Sequence, residues 1–239
     1  RFYGWQPAAI SIGYFQDLKK EINIENCRAA DIDIVRRPSG GKTVFHCHEV
    51  TYSVIACNQE LSFPPDIMGT YKIISRCIAY GLSFLGIRAV LVEAERSLPH
   101  FYNSSCCFSA PSKNELLVNG RKICGSAQMR TKGGFLQHGS ILLKFDPLRA
   151  ASFILPLSDN DQLHKLADSV TTISEEAAAA LDENEVCASL KKGFTTILNK
   201  KIMTGILTPA EQVLAIELKE KYADLSWKRE KEKAFRSIF

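Results

Sequence analysis

Residues 114–130 read NELLVNGRKICGSAQMR, from Asn114 to Arg130. Apolar Leu116, Leu117 and Val118 precede Asn119-Gly120, and a second run follows from Arg121 to Gln128. Asn-Gly readily takes the positive φ values of a type I′ turn, so the stretch predicts a β-hairpin with strands at 115–118 and 121–128. Strict alternation would put Lys122, Cys124, Ser126 and Gln128 on one face and Arg121, Ile123, Gly125 and Ala127 on the other. A lysine alternating with small and polar side chains suits a pocket wall. An edge strand carrying a solvated lysine fits the same pattern equally well.

Outward from the hairpin, a turn at Thr131 to Gly134 leads into an apolar run from Phe135 to Phe145, which extends the hairpin into a meander. Upstream, Ala8 to Tyr14, Ile32 to Arg36 and Val50 to Ala56 are short runs rich in β-branched residues and read as strands. Ile67, Tyr71, Ile74, Ile78, Leu82 and Leu85 recur at three- and four-residue steps, one face of a helix closed by Gly86. Val90 to Val92 begins another strand, and Ser97 to Lys113 reads as a long loop. Beyond Pro147 the pattern turns helical. Thr208-Pro209-Ala210-Glu211 is a capping box with proline at the first helical position, opening a helix to about Tyr222. The expected fold is therefore α/β (α+β), a mixed, mostly antiparallel sheet flanked by helices. The expected division is a domain over residues 1–200 with a helical extension over 201–239 packed on it.

Bulk properties narrow the function classes. The chain has 239 residues, 46% of them hydrophobic and 23% charged, enough for one sizeable core. No apolar run approaches the roughly 20 residues that span a bilayer, so no membrane segment is expected. A net charge of +4, from 30 Lys+Arg against 26 Asp+Glu, suits an acidic protein partner at least as well as nucleic acid. Lys228 to Lys233 is mixed in sign and reads as a solvated helix end. The chain begins at Arg1 without a methionine, so an upstream piece is expected. The eight cysteines, at 27, 47, 57, 77, 106, 107, 124 and 187, form no Cys-x-x-Cys pair. Most of them are expected to be buried free thiols in a reducing, cytoplasmic setting, with one exception taken up below, and with no metal site and no disulfide framework.

Three further stretches carry candidate chemistry. Arg36 to His46 reads RRPSGGKTVFH, in which Gly40-Gly41 lets a backbone approach a ligand and Arg37 and Lys42 add positive charge. A β-turn with exposed basic residues fits the same letters, and the glycine spacing is not that of a P-loop. Gln137-His138-Gly139-Ser140 places a histidine on the strand next to the hairpin, where it suits orienting a loop. Cys106-Cys107-Phe108 to Ser112 lies just before the hairpin.

RRPSGGKTVFH, NELLVNGRKICGSAQMR and LQHGSILL, in that order, resemble the biotin/lipoate protein ligase and octanoyltransferase superfamily, over roughly residues 1 to 145. The resemblance implies a biotin/lipoate ligase-like fold. It implies that Lys122 contacts the acyl carbonyl region and that the Arg37-Gly40-Gly41 turn, with His46, Gly125, Ser126 and His138, borders the acyl or nucleotide pocket. Four features are similar to the transferases that load the glycine cleavage H protein. These are the Cys106-Cys107 loop, Lys113-Asn114-Glu115 where ligases carry an Arg-Asn-Asp-like stretch, Lys42 where ligases commonly have a third glycine, and Gly-Ser-Ala-Gln at 125–128.

The activity implied by the resemblance is that of an octanoyltransferase without a cofactor. Octanoyl-acyl carrier protein would be the donor, and the H protein or a lipoyl domain the acceptor, with no nucleic-acid or membrane partner. Cys107 would hold the acyl group as a thioester and Lys122 would stabilise the thiolate and the oxyanions. The Cys-Phe and Pro-Ser register selects Cys107 over Cys106, and Cys124 is a third candidate. An ATP-dependent lipoate ligase, transfer between lipoyl-bearing proteins, and an inactive member that only binds a carrier or lipoyl domain are the competing readings.

Overall fold

A computed structural model describes residues 1–92, 115–155 and 160–223. Its centre is a six-stranded sheet made from β1 (Phe2–Tyr3), β5 (Glu49–Cys57), β6 (Val90–Leu91), β7 (Leu116–Val118), β8 (Arg121–Arg130) and β9 (Gly134–Leu142). The strand order is β1-β5-β9-β8-β7-β6, and every neighbouring pair is antiparallel. The predicted hairpin is present: Asn119 and Gly120 have φ of 52° and 82°, as a type I′ turn requires. The strand expected over Phe135 to Phe145 ends at Leu142.

One face of this sheet is covered by α3 (Ile67–Ser83) and α7 (Glu183–Leu198). Ile74, Cys77, Ile78 and Leu82 of α3 are fully buried against Val50, Tyr52, Ile123, Cys124 and Ile141 of the strands. Each such side chain contributes about 1.5–3 kcal/mol by leaving water. Ile67, which the helical spacing placed on this face, is exposed because it sits in the first turn. The two helices cross closely at glycine. A Cβ on Gly193 would lie 2.2 Å from the Cys77 carbonyl oxygen, so no larger residue fits.

A second, three-stranded sheet has the order β3-β2-β4, from β2 (Ala9–Ile12), β3 (Asp33–Arg36) and β4 (Val44–His46). β2 runs parallel to β3, the single parallel pair among the described strands. Ile10 and Ile12 of β2 and Phe45 of β4 share a second apolar cluster with Leu142 of β9 and with α4 (Pro147–Phe153) and α5 (Asn160–Ser169). Small helices α1 (Leu18–Glu21) and α2 (Ile24–Ala29) add Leu18 and Cys27 to it, and α6 (Ile173–Glu176) links α5 to α7. The second sheet thus stands on the side of the large sheet away from α3 and α7. α8 (Pro209–Ala223) comes last, opened by the expected capping box between Thr208 and Glu211. It lies beside β3, its Glu211 pairs with Arg1, and it buries no residue of its own. No helix among the described residues is long and apolar enough to cross a membrane.

The cysteine expectation needs correction. Cys27, Cys77 and Cys124 are buried, but Cys57 is exposed and Cys47 and Cys187 are half-buried, because Cys57 ends its strand at the rim of the sheet. Among the described residues no cluster could hold a metal ion.

Candidate active site between the two sheets

The alternation predicted for β8 fails at one residue. Leu116 pairs with Cys124 and Leu117 with Lys122, so Ile123 is an extra residue in a β-bulge. Leu116 and Val118 point into the helical core, so Lys122, opposite Leu117, points away from it. Ile123 and Cys124 both face the core. Lys122 therefore does not share a face with Cys124, Ser126 and Gln128. It is also not solvated: it is 1% exposed, and its ammonium pairs with the Glu115 carboxylate at the start of β7.

The core face of this region carries a polar chain. The Tyr52 hydroxyl donates to Ser126 Oγ at 2.7 Å and accepts from Gln137 Nε2 at 3.2 Å, and Gln128 donates to Gln137 at 2.9 Å. Ser126, expected at the pocket, thus directs its hydroxyl toward Tyr52 on the helical side. Cys124 lies in the same layer. Burial, tempered by the Ser126 hydroxyl and by Lys122, pushes its thiol up to about 12. That thiol stays protonated near neutral pH and makes a poor nucleophile.

The opposite face carries a different set. Cross-strand rows place Ser53, His138 and Ala127 side by side, then Thr51, Ser140 and Gly125. The second sheet closes over them. Ser39, in the loop before β4, meets His138 Nε2 at 2.6 Å. His46 of β4 lies between Ser11 Oγ at 2.7 Å and Glu49 Oε1 at 2.8 Å. Thr51 and Ser140 also donate to Glu49 Oε1, at 2.5 and 2.8 Å. Trp5 stacks on the His46 ring, with centroids 4.2 Å apart, and donates to Thr51 Oγ1. Burial, with Arg37 and His46 adding to it, lowers His138 to about 4, so its imidazole is neutral at neutral pH. His46, His138, Gly125 and Lys122 are thereby gathered on one side of the sheet, and Ser126 is not.

The Gly40-Gly41 turn joins this side through arginine. Arg37 is buried, against the alternative of an exposed basic turn. It donates to the carbonyls of Ser11, Gly40 and Lys42 and to Ser11 Oγ, at 2.6–3.2 Å. Arg36 is spent in the same way on the carbonyls of Gly13, Tyr14 and Gln16. These arginines shape two loops. Gly41 has φ of 93°, and its carbonyl oxygen would lie 1.9 Å from a Cβ on Gly13, so the loops touch through backbone. Cys106 and Cys107 lie outside the described residues.

Sequence reading missed Glu49, Ser11, Thr51, Ser140, Trp5 and Glu115. Glu49 had a signal in its three-residue spacing from His46 across the turn between β4 and β5. Glu115 had one in its place within the hairpin stretch.

Residues 1–195 match the lipoyl protein ligase A/B catalytic domain family. Among curated relatives, an octanoyltransferase LipM of Brevibacillus brevis is 39% identical, over 95% of this chain and 85% of its own length. One of Bacillus subtilis is also 39% identical, over 95% and 84%. One of Clostridioides difficile is 34% identical, over 97% and 86%. Among solved structures, a lipoate-protein ligase A bound with ATP superposes with a TM-score of 0.78 at 23% identity, covering 97% of this chain and 85% of its own. A bi-partite lipoate protein ligase of Thermoplasma acidophilum gives 0.76 at 24%, covering 98% and 84%. These two likenesses show the fold.

Proposed function

The chain belongs to the lipoyl protein ligase A/B catalytic domain family, and we propose that it is an acyltransferase of lipoate biosynthesis that moves an octanoyl group onto a lysine of a lipoyl-accepting protein. The observation that carries this reading is the similarity to octanoyltransferases along 95% of the chain. The donor is octanoyl-acyl carrier protein, whose thioester is already activated, so the reaction runs without ATP and without a cofactor in the cytoplasm. A cysteine thiolate attacks the donor carbonyl, and the acyl energy is conserved in a second thioester. Cys107 is that cysteine in the reading made from the Cys106-Cys107 loop. The protonated thiol of Cys124 and its place on the helical face support that choice over Cys124.

Lys122 supplies positive charge to the thiolate and to the oxyanion of each tetrahedral intermediate. Its burial on the side of His46, His138 and Gly125 supports the role, since charge acts most strongly where water is excluded. The acceptor lysine then attacks the acyl-enzyme. The acceptor is the glycine cleavage H protein or a lipoyl domain.

The test supplies the protein with an apo acceptor and either octanoyl carrier protein alone or octanoate plus ATP. Acceptor octanoylation from the carrier protein alone is the expected result. Octanoylation only with free acid and ATP would make the chain a ligase.

A further inference from the structure

The turn that follows β2 is held more firmly than a surface turn requires. Gln16 N donates to the Gly13 carbonyl at 3.1 Å, closing a β-turn over Gly13, Tyr14, Phe15 and Gln16. Gly13 N donates in turn to Gln16 Oε1 at 2.8 Å. Buried Arg36 donates to the carbonyls of Gly13, Tyr14 and Gln16 at 2.8–3.0 Å. Tyr14 N donates to the Ser39 carbonyl at 3.0 Å, which ties the turn to the loop carrying Gly40 and Gly41.

At the tip of this turn a phenylalanine reaches into solvent. Phe15 is 73% exposed, while Tyr14 beside it is buried and meets its ring edge-on, with centroids 5.0 Å apart. Single exposed apolar side chains are ordinary on protein surfaces, and Leu61 and Ile206 are more exposed still. Phe15 differs because a buried arginine fixes the backbone that presents it, and because that backbone is tied to the candidate site. Ser39, whose carbonyl accepts from Tyr14 N, meets His138 Nε2 through its hydroxyl at 2.6 Å. Followed along these bonds, the Phe15 backbone lies within roughly 14 Å of the His138 imidazole.

A large aromatic ring on a backbone already ordered suits a protein-binding anchor, because little freedom remains to be lost on association. We propose that Phe15 is the anchor on which the acyl-accepting protein docks, its ring entering an apolar depression beside the acceptor lysine. This rests on the lysine-acylation reading above. Two proteins visit the site in that reading, and reach separates them. The donor carries its thioester on a long prosthetic arm, so its body stays well away from the reacting carbon. The acceptor offers only the four-carbon stem of a lysine, so its own surface has to come down on the rim of the site. The rim built by the Gly13–Gln16 turn and the Gly40-Gly41 loop presents Phe15 to that surface.

The experiment follows the two half-reactions separately by intact mass. Enzyme loaded from octanoyl carrier protein is mixed with increasing amounts of apo glycine cleavage H protein, or with hydroxylamine. In Phe15→Ala the H protein concentration giving half-maximal discharge should rise about tenfold or more, the scale of losing an interface anchor. Loading from the carrier protein and discharge by hydroxylamine should keep their wild-type rates, because neither uses the acceptor's surface. Phe15→Tyr should stay close to the wild type. An unchanged H protein dependence in Phe15→Ala would overturn the proposal. So would slowed loading with normal discharge, which would give this surface to the donor, and so would an equal loss with hydroxylamine, which would make Phe15 a support of the chemistry. If the wild type octanoylates the H protein only from octanoate and ATP, the transferase reading falls, and the same comparison of H protein dependence decides the docking proposal in that reaction. A wild type that octanoylates the H protein by neither route takes down both.

Discussion

The two faces of the six-stranded sheet are built from the same strands and do opposite work. The face under α3 and α7 is an apolar core whose few polar groups satisfy one another, through Tyr52, Ser126, Gln128 and Gln137. The face under the second sheet gathers an ammonium, carboxylates and imidazoles, with Lys122, Glu115, Glu49 and His46 buried and His138 half-buried. One inserted residue, Ile123, decides which face Lys122 joins. Sheet chemistry here is therefore controlled by register as much as by composition, since a slip of one residue moves a side chain to the other face.

The largest expected effect is at Lys122. Lys122→Ala should cut acyl transfer by about a hundredfold or more, the scale of losing an electrostatic stabiliser. Sequence alone suggests that such a variant keeps its fold intact. Burial beside Glu115 changes that expectation, because breaking a buried ion pair by removing one partner costs about 3–5 kcal/mol. Urea denaturation followed by transfer assays separates the two losses. Normal stability together with normal turnover would remove Lys122 from the account of the polar face.

On the other face the loss should be in stability. Gly193→Ala drives a methyl group into the Cys77 carbonyl, and a cost of about 1–3 kcal/mol is expected from overpacking at the crossing of α3 and α7. Tyr52→Phe should cost about 1–2 kcal/mol by leaving Gln137 short of a partner. Both variants should retain transfer under conditions where they are folded. A Tyr52→Phe enzyme that is stable but inactive would show that the helical face takes part in chemistry.

How far the sequence could be read depends on which forces are local. Asn119-Gly120, the capping box at Thr208 and the period of α3 are decided by neighbours within a few residues, and each was legible. The cluster of His46, Glu49, Ser11 and Ser140 was not, because it forms only when β2, β4, β5 and β9 come together across two sheets. The contacts of Arg37 were hidden for a related reason. A basic residue beside glycines suggests a ligand, yet its donors are used on the carbonyls of loops brought near by the fold. The face of Lys122 was misread because alternation presumes an unbroken strand, and the bulge arises from pairing with β7.

The remaining expected effect, a pH-dependent one, concerns His138. Its folded value, near 4, lies below the ordinary value of about 6.5, so between these pH values the unfolded chain binds more protons. Stability from this residue is present above about pH 6.5 and is lost as pH falls toward 4. A swing of about 2 kcal/mol is expected, after allowing for partial exposure. His138→Gln should flatten that part of the stability profile, measured by thermal unfolding at several pH values. An unchanged slope would mean that Ser39 and the second sheet do not hold His138 in its neutral form.

The most direct test of the central claim is intact mass spectrometry of the protein mixed with octanoyl-acyl carrier protein in the absence of ATP, followed by peptide mapping. One octanoyl group should be gained and removed by hydroxylamine. It should still form in Cys106→Ser, and it should be absent from Cys107→Ser. Acylation that persists in both variants and maps to Cys124, on the helical face, would contradict the division of labour between the two faces.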